Sequence, residues 1–210
     1  MKKYAIHYLL LILILFSFQT NKTFAALEID VTEGNIKPLP IAISFVRDIQ
    51  NKDEDLGINI SKVIASDLAG SGLFYPINPK AFLEEIVSLD KKPNFNSWRV
   101  INTESLLTAQ VYYEENDRFR IQYELWDVVA EKALIERELF TSINKWRSVA
   151  HVIADAVYAR LTGESGYFDT KIAFIAESGS KINRIKRLAI MDQDGYNPRL
   201  LTTGNDLVLT

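Results

Sequence analysis

Residues 116–163 read NDRFRIQYELWDVVAEKALIERELFTSINKWRSVAHVIADAVYARLTG, and a change of period inside them decides the fold. Phe119, Ile121, Tyr123 and Leu125 alternate with Arg120, Gln122 and Glu124, the period-2 pattern of a strand buried on one face. Leu106–Tyr113 precedes it across an Asn116-Asp117 turn, and Lys132–Phe140 follows a second polar turn. Three antiparallel strands are therefore expected over 106–140. The period then lengthens. Trp146, Val149, Ala150, Ile153, Val157 and Leu161 form one helical stripe, which Gly163 closes. Strands and helices mixed in this order predict an α/β fold, a mixed sheet with helices.

Upstream, Ile41–Val46 reads as a buried strand and Arg47–Asp55 as a loop. Leu56, Ile60, Val63, Ile64 and Leu68 recur at helical spacing, with Asp53 or Asp55 as N-cap and Gly70-Ser71-Gly72 as the stop. Pro79 suits the first turn of a small helix through Ala81–Val87, and Pro93–Ile101 predicts another short helix anchored by Trp98. Downstream of Gly163 the pattern changes again. Thr170–Ala176 and Ile185–Met191 read as strands around a Glu177–Asn183 loop, and an Asp192-Gln193-Asp194-Gly195 turn leads to Pro198–Thr202. That succession is how a β-propeller blade opens. A propeller needs about four to eight blades, so an incomplete one is expected here.

The first twenty-five residues have a different character. Lys2 and Lys3 precede a fifteen-residue stretch, Tyr4–Phe18, interrupted only by His7 and Ser17. It is shorter than the ~20 residues that span a bilayer as a helix. Thr23-Phe24-Ala25 places small residues at −3 and −1 of a cut after Ala25, so residues 1–25 are expected to be a cleavable signal peptide and the protein periplasmic. Residues 26–163 then form the α/β domain and 164–210 the first strands of a propeller.

The 210 residues carry 24 Lys plus Arg against 27 Asp plus Glu, a net charge of −3. Without Lys2, Lys3 and Lys22 the mature charge becomes −6. Neither value suits a nucleic-acid binder. There is no cysteine, which excludes disulfides, thiolate metal sites and Cys nucleophiles. Only His7 and His151 occur, so poly-His metal sites are excluded as well. No cofactor, metal or catalytic residue is assigned.

Ser148, His151 and Asp155 are the residue types of a serine hydrolase, but their i, i+3, i+7 spacing puts them on one helix face. A triad gathers its members from separate elements around an oxyanion hole. The expectation is a solvated face with a His151–Asp155 pair. Asp192–Asn197 departs from a calcium loop, with Gly195 fourth instead of sixth, and reads as a hairpin turn. The basic run Lys181–Arg187 reads as a solvated strand edge. Trp98, Trp126 and Trp146 read as core.

Scattered motifs carry a resemblance. They are Gly57-Ile58, Ala65-Ser66-Asp67-Leu68 with Ser71-Gly72 and Phe74, Trp98, Tyr123-Glu124-Leu125 with Asp127, and Asn144-Lys145. Leu161-Thr162-Gly163, Ile172-Ala173-Phe174 and Asp194-Gly195-Tyr196-Asn197 complete the set. In order and spacing the chain resembles the TolB family, the periplasmic component of the Tol–Pal system. The resemblance implies a non-enzymatic role in outer-membrane integrity and in membrane invagination at cell division. It implies TolA as a partner of the mature N-terminal segment, here Ala26–Asn35. It also implies Pal as a partner of the propeller, of which little is expected in this chain. Leu27, Glu28, Ile29, Asp30 and Val31 keep a strand-like alternation suited to adding an edge to a partner sheet. The competing class is a periplasmic peptidase-like hydrolase with a propeller, which would need a nucleophile elbow or a metal cluster.

Overall fold

The computed structural model describes residues 37–45 and 54–204. The expected signal peptide, the strand Leu27–Val31, Val46, the loop before residue 54 and the Asp53 cap lie outside the described residues.

Strand β1 (Leu39–Phe45) runs into helix α1 (Glu54–Gly70), which returns the chain to β2 (Phe74–Pro76). β1 and β2 pair in parallel, as a helical crossover demands. A 3-10 turn (Pro79–Ala81) and the short helix α2 (Phe95–Val100) lead to β3 (Ser105–Tyr113), parallel to β1 on its other side. β4 (Arg118–Asp127) and β5 (Lys132–Ser142) then follow as an antiparallel meander. The result is a five-stranded mixed sheet in the order β2-β1-β3-β4-β5. Helix α3 (Trp146–Thr162) comes next, and β6 (Lys171–Ser180), β7 (Asn183–Asp192) and β8 (Arg199–Leu200) make a separate antiparallel sheet.

Alternation along the strands sorts side chains to the two faces of the first sheet. One face presents Ile41, Ile43, Leu107, Ala109, Phe119, Ile121, Tyr123 and Leu125 to the stripes of α1 and α3. Leu56, Ile60, Val63, Ile64 and Leu68 come from α1, while Val149, Ala150, Ile153, Val157 and Leu161 come from α3, all buried. Trp146 packs against this core only partly buried. The opposite face presents Ala42, Leu106 and Trp126 to Ile86, Leu89, Phe95 and the fully buried Trp98. Because both faces are covered, Ser105–Val111 is buried without interruption, the signature of an interior strand. A bulge at Leu125/Trp126 sets Trp126 against Ala133 and skips one β5 residue.

The small helix expected through Ala81–Val87 does not form. Asn78 caps the Pro79 turn through a 3.0 Å bond from the Lys80 amide, but Phe82 is already extended. Tertiary contacts override the local preference. Phe82 lies edge-on to Trp98 at 5.0 Å, and Glu84 accepts hydrogen bonds from the Trp98 indole at 2.6 Å and the Asn94 amide at 3.0 Å. An extended path places Phe82, Ile86 and Leu89 over the sheet, where a helix of this length would expose some of them.

In the second sheet the strands extend further than their apolar stretches. β6 and β7 pair from Lys171↔Asp192 to Ser180↔Asn183, so most of the expected Glu177–Asn183 loop is strand. Across that hairpin Arg184 and Lys186 both pair with Glu177, which keeps the basic run on a solvated edge. Gly163 takes φ +80 and ends α3 in the left-handed conformation that favours glycine. Three residues later Gly166 passes so close to α3 that an added Cβ would lie 2.5 Å from the Asp155 Cα.

Among the stripe residues Ile153 is fully buried between α1 and the sheet. Ile153→Ala is expected to cost about 2–5 kcal/mol, read as a lowered urea midpoint with an unchanged slope.

Candidate functional site

Polar side chains on one flank of α3 converge on a seam with the second sheet. His151 is its centre. Sequence spacing places it on a solvated face beside Asp155, yet it is 3% exposed and pairs instead with Asp67 on α1. Its Nδ1–H donates to Asp67 Oδ2 at 2.6 Å, and the Asp67 side chain is wholly buried. The reason is the width of the buried stripe. Ala154 and Tyr158 are buried along with the expected positions, so the face that meets α1 takes in His151 too.

The other two residues of that group turn to the linker after Gly163. Ser148 Oγ donates to Asp169 Oδ1 at 2.8 Å. Asp155 accepts from the amides of Phe168 at 2.7 Å and Asp169 at 3.1 Å. Phe168 itself is fully buried in the first core, ringed by Tyr158 and Tyr167. Ser148, His151 and Asp155 thus each serve a different partner and form no relay.

Above His151 lies the β7–β8 turn. Asp192 N–H donates to the Tyr196 carbonyl at 2.8 Å and Gly195 N–H to the Asp192 carbonyl at 2.9 Å, so the segment is a hairpin turn as its sequence suggests. Arg147 pairs with Asp194 and lies 3.8 Å over the Tyr196 ring. Lys171 pairs with Asp192, which also accepts from Asn197 Nδ2 at 3.0 Å. One ring nitrogen of His151 and carboxylate oxygens of Asp192 and Asp194 come within 4.8 Å of one another. Asp67 Oδ1, His151 Nε2 and Arg147 Nε are buried and lack a hydrogen-bond partner among the described residues. Buried polar atoms are seldom left so.

Charges at the seam shift its acids and bases. Burial draws His151 down, but the hydrogen bond and charge of Asp67, joined by Asp194, more than offset it and Arg147, leaving the imidazole above its ordinary value. Burial pushes Asp192 up, yet hydrogen bonds from Lys171 and Asn197 hold it below the usual carboxylate range.

Asp67 and His151 lie 84 residues apart, and no local motif joins them. The available signal was register. Asp67 falls on the Ile60, Val63, Ile64, Leu68 stripe, and His151 borders Ala150 and Ile153. The expected partner-binding residues Leu27, Glu28, Ile29, Asp30 and Val31 lie outside the described residues.

Comparison with known proteins adds a family. Residues 27–134 match the TolB amino-terminal domain. The Tol-Pal system protein TolB of Pelagibacter ubique is 45% identical over 207 residues, covering 94% of this chain and 46% of that protein. Its counterpart in Paramagnetospirillum magneticum is 47% identical over 186 residues, covering 89% and 42%. The chain therefore spans less than half the length of these curated relatives. TolB from Acinetobacter baumannii, known from a crystal structure, matches with a TM-score of 0.69 at 23% identity. That match covers 83% of this chain and 41% of that one, and it shows a shared fold.

A raised imidazole makes a signed prediction. The groups facing His151 are Asp67 from α1, Asp192 and Asp194 from the turn, and Arg147 from its own helix. The proton stabilises the fold fully below the unfolded value of about 6.5, and that stabilisation is lost as pH rises through the higher folded value. The gap in urea midpoint between the native chain and His151→Gln should be widest near pH 6 and narrow toward pH 9. A gap independent of pH would contradict this.

Proposed function

The chain belongs to the TolB family, and from that membership we propose that it is a protein-binding component of a Tol–Pal system in the periplasm. It reaches the periplasm by a signal peptide cleaved after Ala25. It works by binding, without catalysis, in the maintenance of the outer membrane and its invagination at division. The observation that carries the reading is the family match, which begins at Leu27 and so takes in the alternating segment Leu27–Val31. Among the described residues no helix is long and apolar enough to cross a membrane.

Two contacts follow. The N-terminal segment, Leu27, Glu28, Ile29, Asp30 and Val31, adds an edge strand to TolA, where backbone hydrogen bonds supply affinity and alternate side chains supply selectivity. Residues 26–163 form the domain that presents it. Residues 164–210 open the first blade of a propeller whose completed form binds Pal. The exposure of Ile172, Ile175, Ile185 and Leu200 on β6–β8 supports that reading, because a blade buries its faces only against neighbours. No residue of this chain is assigned to Pal. A non-catalytic role is supported by the seam, where Ser148, His151 and Asp155 are each committed to a separate structural partner.

Calorimetry tests the TolA contact. Residues 26–210 should bind the C-terminal domain of TolA with a micromolar Kd, about −8 kcal/mol, because an ordering cost offsets part of the interaction. A version starting at Ile36 should lose at least tenfold. Equal binding by both would refute the N-terminal site, and binding by neither would remove TolA as the partner.

A further inference from the structure

The seam between α3 and the β7–β8 turn leaves one buried imidazole nitrogen without a partner among the described residues, beside two carboxylates. His151 Nδ1 is committed to Asp67, which leaves Nε2 as its free atom. In the neutral ring that tautomer makes Nε2 a lone pair. It is buried, it has no partner among the described residues, and its neighbours Asp192 and Asp194 are carboxylates. One ring nitrogen of His151 and carboxylate oxygens of Asp192 and Asp194 lie within 4.8 Å of one another, and with Nδ1 taken by Asp67 the nitrogen open to a cation is Nε2.

We propose that His151 Nε2, Asp192 and Asp194 bind a divalent transition cation of the zinc type, clamping the hairpin turn onto helix α3. The donor set selects the class. One imidazole with two carboxylates suits zinc and its first-row neighbours, whereas calcium and magnesium prefer oxygen throughout. Asp67 stands behind the imidazole as the carboxylate that fixes the tautomer and ring orientation of a metal-bound histidine. Three protein ligands leave a further position for water. Bonds of zinc length bring ligand atoms about 3.4 Å apart, so the trio must close from its present spread. That closure falls to Asp194, which sits in the turn and must leave Arg147 to make it.

Two cations oppose the metal. Lys171 holds Asp192, and Arg147 holds Asp194. The Lys171 side chain is 55% exposed and can swing into solvent as the metal enters. Arg147 keeps its seat over Tyr196. Against Asp67, Asp192 and Asp194, these two leave one negative charge uncompensated while the imidazole is neutral. This reading departs from a calcium loop at 192–197. Two ligands come from the turn, and the third comes from a helix 41 residues upstream of Asp192.

The test is calorimetric titration of Zn2+ into the metal-stripped full chain near neutral pH. One site with a micromolar Kd is expected, with no competition from millimolar Mg2+ or Ca2+. Asp194→Asn should weaken binding at least tenfold while the far-UV circular dichroism stays native. Lys171→Met should tighten binding severalfold, because a competitor for Asp192 has gone. In 15N spectra of the imidazoles, assigned with His151→Gln, added Zn2+ should shift Nε2 of His151. No binding at 100 μM Zn2+ (on the order of a hundred times the Kd expected of a micromolar site) would overturn the proposal. Equal Kd for the native chain and Asp194→Asn, or an Nε2 that responds to protons alone, would do the same.

Discussion

Asp67 is a carboxylate sealed between two helices, and His151 is what makes that tolerable. An ionised carboxylate without a partner in such a place would unfold a protein of ordinary stability or take up a proton. The imidazole supplies a charge-assisted hydrogen bond, and in doing so it fixes α3 against α1 at one rotation and one height. Everything after Gly163 hangs on that orientation. The same helix carries Arg147, Ser148 and Asp155, which reach Asp194, Asp169 and the linker amides. A turn of α3 about its axis would lose all of these together. The pair adds little to stability against an apolar alternative, since both groups are desolvated, but it specifies which faces meet.

The sheet beneath prepares this arrangement. β1 lies between two parallel neighbours, and β3 is buried on both faces, so α1 and α3 share one side while the segment through Trp98 occupies the other. Two cores of unequal kind result. The helical side is regular and broad. The opposite side is closed by an irregular stretch held through Glu84 and the Trp98 indole. With the two long helices confined to one side, the polar flank of α3 is free to meet the second sheet.

Much of this was legible in the chain. β4 and the two long helices were visible because their apolar spacing is clean and each has a clear stop, at Gly70-Ser71-Gly72 and at Gly163. The segment after Pro79 was not, since Phe82, Ile86 and Leu89 satisfy a helical spacing as well as an extended path over Trp98, and only packing chooses between them. The burial of His151 is hidden in the sequence for a related reason. Periodicity tells which face is buried but not how wide that face is, and a polar residue at its margin looks solvated until its partner is known. That partner is remote in sequence.

TolB family membership and the seam meet in one idea, that α3 joins the amino-terminal domain to the strands after it through a buried Asp67–His151 contact. A double-mutant cycle measures that contact directly. Asp67→Asn, His151→Gln and the double variant would be unfolded in urea near pH 6, where the imidazole is charged. The account predicts a coupling energy above about 1 kcal/mol, the double variant losing much less than the two single losses together. Losses that add to within about 0.3–0.5 kcal/mol would mean the two side chains are energetically independent, and would contradict it.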